Sequence, residues 1–115
     1  MAFSEFEQKR YEKMMNTYIA ENRPPEAVRH EVDLSYRIKG QSVTIFEIRP
    51  VWDNPNKTLE EPVAKATYSQ KDNIWKIYWQ RADMKWHRYD PDPQVDTLED
   101  FIEIVEEDDY CCFFG

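Results

Sequence analysis

The chain contains two glycines in 115 residues. A loop that wraps phosphates with its backbone needs several glycines close together, so the Gly-rich nucleotide-binding folds are excluded. Cysteine is equally scarce: the two present are adjacent, Cys111-Cys112. They form no disulfide framework, and with two histidines elsewhere they lack the spacing of a structural zinc site. No metal or cofactor is expected, and a reducing cytoplasm suits these thiols best. In that compartment the glycosylation-like triplet Asn56-Lys57-Thr58 carries no meaning. No apolar run approaches the roughly 20 residues that span a bilayer, and MAFSEFEQKRYEK has acids and bases where a secretory signal has an apolar stretch. A membrane partner is therefore not expected. Residues 91–115 hold no Lys or Arg at all, against nine Asp and Glu. The net charge of −8 is thus concentrated at one end of the chain, and residues 32–90 are mildly basic.

What is present is a well-supplied core. Hydrophobic residues at 41% and aromatics at 15% exclude a disordered chain, and the length suits one domain over residues 1–115. Ser4 with Glu7 forms a capping-box pattern, and Phe3, Phe6, Tyr11, Met14, Met15, Tyr18 and Ile19 recur at helical spacing up to Pro24-Pro25. A helix is expected over about 4–21. From Val32 the period becomes two, predicting strands at about 32–39 and 43–51 joined at Gly40. A proline-rich loop, WDNPNKTLEEP, leads to strands at about 63–69, 74–79 and 85–89. Asp96 with Glu99 then predicts a cap for a second helix at about 97–108, apolar along Leu98, Phe101, Ile102 and Val105 and acidic opposite.

These elements predict a two-layer α+β domain: a five-stranded antiparallel meander with both helices packed on one face. Strand parity assigns the covered face Val32, Leu34, Tyr36, Ile38, Phe46, Ile48, Ala64, Ala66, Tyr68, Trp75, Ile77, Trp79 and Trp86. The open face receives Arg37, Lys39, Glu47, Arg49, Lys65, Lys76, Tyr78, Lys85, His87 and Tyr89, among smaller polar residues. Val43 and Ile45 share parity with Glu47 and Arg49, which predicts a bulge or a covered corner in that strand. Phe113 and Phe114 are expected to dock on the domain. Replacing Trp79 or Trp86 by alanine is expected to cost about 3–5 kcal/mol, as for buried aromatics.

The ordered set SVTIFEIRPVW, PVAKATY, IWKIYWQRADMKWHRYDP and a terminal FFG resembles the domain of unknown function 3024 family of small, mostly bacterial proteins. The resemblance spans nearly the whole chain. It rests on Glu47, Arg49, Pro50 and Trp52 at a strand end, and on Trp75, Tyr78, Trp79, Arg81, Trp86, His87 and Tyr89 in a Trp-rich hairpin. It implies no activity. Gln80 and Ala82-Asp83-Met84 depart from the family's pattern at the hairpin tip, where ligand specificity could differ.

Three functional readings remain. The first is a non-catalytic binding module whose open face offers cations and aromatic rings to an anionic or aromatic partner, single-stranded nucleic acid among them. Its candidate ligand-binding residues are Arg49, Lys76, Tyr78, Arg81, His87 and Tyr89. The bland alternative is an ordinary solvated sheet face, and the sequence pI of about 4.7 weighs against tight nucleic-acid binding. The second reading is a protein partner or a homodimer, formed through the Trp-rich hairpin, a sheet edge or the acidic helix. The third is an enzyme built from Cys111 or Cys112 with His30 or His87 and Asp90, which no motif positions and for which no catalytic residue is assigned.

Overall fold

The computed structural model describes residues 3–108 and 112–114. Helix α1 (Glu5–Asn22) starts at Ser4, whose hydroxyl accepts from the Glu7 amide at 3.2 Å while the Glu7 carboxylate accepts from the Ser4 amide at 3.1 Å. Pro24 holds the preceding residue extended, so the helix stops and Arg23 caps it. A 3-10 turn (Glu26–Val28), which the periodicity gives no sign of, leads to the sheet.

Strands β1 (Asp33–Lys39), β2 (Ser42–Val51), β3 (Asn54–Ser69), β4 (Ile74–Gln80) and β5 (Trp86–Arg88) pair antiparallel in chain order. A short β6 (Gln94–Val95) pairs with β4 beyond the end of β5. Gly40, at φ 61°, opens the two-residue turn between β1 and β2, where a side chain would be strained. Helix α2 (Leu98–Glu107) is capped by Thr97, whose hydroxyl accepts from the Asp100 amide. The expected capping by Asp96 is thus displaced by one residue, and Glu99 and Asp100 place negative charge at the positive end of the helix.

The α+β fold, with both helices on one face of the sheet, is as the sequence predicts. Met15 and Tyr18 of α1 and Leu98, Phe101 and Val105 of α2 cover Leu34, Val43, Ile45, Ala64, Ala66, Trp75 and Ile77. Phe3, Tyr11 and Tyr68 surround Trp75 with ring centroids 5.2–5.6 Å from it. Phe6 is not part of this core: it is 79% exposed on the outer side of α1. The tail returns to the domain through Asp108, whose carboxylate accepts the Phe113 and Phe114 amides at 3.1 and 2.9 Å. Phe113 is buried against Tyr89, centroids 4.9 Å apart, while Phe114 is half-exposed. Of the vicinal pair, Cys112 is half-buried and packs against the core; Cys111 lies outside the described residues.

Three expectations are corrected by the register. The supposed proline-rich loop is mostly strand, because β3 begins at Asn54 rather than near residue 63. Only Trp52 and Asp53 turn, and β2 and β3 run past the ends of β1 and β4 as a two-stranded arm. Second, the irregularities lie in β3: Ile45 faces Ala64 but Phe46 faces Pro62, leaving Val63 as an extra residue, and Pro50 faces Thr58 but Val51 faces Asn54, leaving residues 55–57 extra near the arm tip. Strand β2 keeps its parity throughout, so Val43 and Ile45 are covered and Phe46 and Ile48 go to the open face. Third, Gln80 pairs with Trp86 across a five-residue loop, and this puts Trp86 and Arg88 on the open face and His87 and Tyr89 on the helix side. A six-residue loop would give the opposite arrangement, since a one-residue slip exchanges the faces.

One ion pair ties the layers together. Arg23 donates from Nε and Nη2 to the two Asp33 carboxylate oxygens, both at 2.7 Å, joining the end of α1 to the start of β1. The hydrogen bonds from Arg23, with help from the Leu34 amide, hold the Asp33 carboxyl below the usual carboxylate range. A carboxyl depressed on folding stabilises above its unfolded pKa of about 4 and loses that contribution as pH falls through the folded value. Asp33→Asn is therefore expected to lower the denaturation midpoint at neutral pH, with the gap to the parent closing in titrations carried below about pH 3.

Candidate functional site

The open face is organised by register into two rows that cross the sheet. Arg37, Thr44, Lys65, Tyr78 and Arg88 are successive partners from β1 to β5. Lys39, Ser42, Thr67, Lys76 and Gln94 form the next row, from β1 to β6. At a strand spacing of about 4.8 Å each row spans roughly 19 Å. Between Ala64 and Ala66, both fully buried, Lys65 must point outward by alternation.

Lys65 is the centre of this face. Its ammonium lies 5.2 Å from the Tyr78 ring centroid and 4.8 Å from that of Trp86. Partial burial lowers its pKa, and among the described residues it has no ion-pair partner. Lys39 and Lys76 likewise have none there. The outer arginines are paired: Arg37 with Glu60 at 2.8 Å, lying over the buried ring of Phe46, and Arg88 with Asp90 at 2.9 Å. Lys76, Tyr78, Arg88, Pro93 and Gln94 line a shallow depression of about 340 Å³ beside the two aromatic rings. The geometry can set successive anions against Lys39, Lys65 and Lys76, which have no ion-pair partner among the described residues, while a flat group lies on Tyr78 or Trp86.

Of the six candidates from sequence, the structure brings only Lys76 and Tyr78 together on this face. Arg49 is on the helix-side parity, at the root of the arm, where Glu47 and Glu61 lie 3.2 and 3.3 Å from it. Arg81 sits at the hairpin tip with its guanidinium 5.5 Å from the Trp79 centroid. His87 bonds Asp83 at 2.8 Å on the helix side. The Lys85 amide, ahead of the His87 contact, depresses the Asp83 carboxyl. Tyr89 is 2% exposed in the core and is not on any open surface. Lys65, Trp86 and Arg88 complete the cluster but were outside the candidate set. For Lys65 the signal was present in the Ala-Lys-Ala alternation; for Trp86 and Arg88 it depended on the length of the hairpin loop.

Among the described residues no group of three or more His, Cys, Asp or Glu side chains could hold a metal ion, and no helix is long and apolar enough to cross a membrane. The molecule is thus defined as a two-layer α+β domain with one sheet face left uncovered by the described residues. It belongs to the DUF3024 family, a domain of unknown function, whose model matches residues 3–115. No curated protein and no solved structure matches the chain.

Proposed function

We propose that this protein is a non-catalytic module that holds single-stranded nucleic acid on the open face of its sheet. The observation that carries this reading is Lys65, a partly desolvated cation set between Tyr78 and Trp86 with no carboxylate paired to it among the described residues. Such a position costs stability unless an anion completes it, and perturbed charges of this kind concentrate at functional sites. Bases stack on the aromatic rings, and phosphates meet Lys39, Lys65 and Lys76. The overall charge of −8 does not oppose this, because the acids of α2 lie on the far side of the domain from these lysines. They set the orientation of approach rather than prevent it. The scarcity of cysteine, two in 115 residues, suits action in the reducing cytoplasm.

The test is a fluorescence-anisotropy titration of a labelled single-stranded oligonucleotide at several salt concentrations. Lys39, Lys65 and Lys76, at about −0.7 each for a single strand, predict a slope of log K against log salt near −2. Absence of binding at low salt, or a slope near zero, overturns the proposal.

A further inference from the structure

Trp52 is 94% exposed at the tip of the β2–β3 arm. A large apolar side chain held out on a two-residue turn is costly in water and is the kind of group that anchors interfaces. Backbone pairing along the arm is not its evident use, since Pro50 on one strand offers no amide and prolines blunt strand edges. The same chain carries a receptor for such an anchor. A groove of about 410 Å³, in the size range of small-ligand pockets, runs between the outer sides of α1 and α2. Its floor is Met14, Tyr18 and Ile102, and the exposed Phe6 extends the same stripe of α1, four residues before Arg10. The rim carries Arg10 and Lys13 on the N-terminal half of α1, and acids at Glu21 further along α1 and at Glu99 and Glu106 on α2. Asp53 adjoins Trp52, and Lys57 follows four residues later on the same arm.

We propose that the arm is a homodimerisation element, with Trp52 of one copy seated in the α1–α2 groove of a second. Asp53 then faces Arg10 and Lys13, and Lys57 faces Glu99 and Glu106, so the charges of the arm and of the rim are complementary. Each copy has one arm and one groove, and a reciprocal exchange of the two closes as a two-fold dimer. Among the described residues neither Arg10 nor Lys13 has an ion-pair partner of its own. This surface lies on the helix side and is independent of the open sheet face.

Sedimentation equilibrium of the purified full chain over a wide concentration range tests it. The parent is expected to fit a monomer–dimer equilibrium. Trp52→Ala, which removes no buried contact, is expected to weaken it by roughly thirtyfold or more, the range of interface hot spots. Asp53→Lys is expected to weaken association, and Asp53→Lys with Lys13→Asp to restore part of it. A parent that stays monomeric, a dimer unaffected by Trp52→Ala, or charge substitutions whose effects simply add each overturns the proposal.

Discussion

Trp75→Ala is expected to lower the free energy of unfolding by about 3–5 kcal/mol, the range for large buried aromatics. Trp75 is 2% exposed, at the junction of β4, the N-terminal segment and α1, with three aromatic rings around it. Its removal leaves a cavity that Phe3, Tyr11 and Tyr68 cannot close without giving up their own edge-to-face and tilted geometry. Against a total stability of about 5–15 kcal/mol for a domain, that loss is large enough to bring the midpoint of a urea titration close to zero denaturant in a marginal background. The expectation from sequence had assigned this cost to Trp79 and Trp86. Both are only half-buried, so their replacement should shift the same midpoint clearly less than Trp75→Ala does. A Trp86→Ala loss as large as that of Trp75→Ala contradicts the register described above.

Trp86→Ala is instead expected to act on binding. Loss of one base-stacking ring costs about 1–3 kcal/mol, a factor of roughly 5 to 150 in affinity for a single strand. The effect should appear at every salt concentration with little change in slope, because a ring contributes no counterion release. Lys65→Met should do the reverse: a smaller loss of affinity, with the salt slope shallower by about 0.7. Stability should move the other way. Desolvation lowers the Lys65 pKa, so its charged form is disfavoured by folding at neutral pH, and that cost is relieved as pH rises through the folded value. A neutral methionine removes the cost, and Lys65→Met is expected to unfold at the same or a higher denaturant concentration. Parallel losses of binding and stability in both variants would mean that the cluster serves the fold alone.

The helices and the covered faces of β1, β3 and β4 were legible because their signals are local. A capping box sets the start of α1, Pro24 its end, and the Ala64–Ala66 alternation fixes which way Lys65 points. The three failures are all questions of pairing. Val63 occupies a bulge visible only against Ile45 and Phe46 on the neighbouring strand. Pro55 and Pro62 in WDNPNKTLEEP discouraged reading that stretch as sheet, although an arm paired on one side leaves its other edge free for proline. The hairpin from Arg81 to Lys85 turns on Met84 at φ 64° and on Asp83, which accepts from the Lys85 amide. A non-glycine residue in the left-handed region gives no compositional signal, so the loop length, and with it the face of His87, Trp86 and Tyr89, could not be counted from sequence. That one residue misplaced two of the six candidates, His87 and Tyr89, and hid Trp86 and Arg88.

The four tryptophans occupy four different places: Trp52 at the arm tip, Trp75 in the core, Trp79 on the helix side of the hairpin and Trp86 on the open face. Their indole N–H resonances, assigned by single replacement and followed by two-dimensional NMR during titration with a single-stranded oligonucleotide at low salt, report directly on where the ligand sits. The sheet-face account predicts that Trp86 shifts strongly while Trp75, Trp79 and Trp52 hold their positions. Shifts centred on Trp79 or Trp52, with Trp86 unmoved, contradict it.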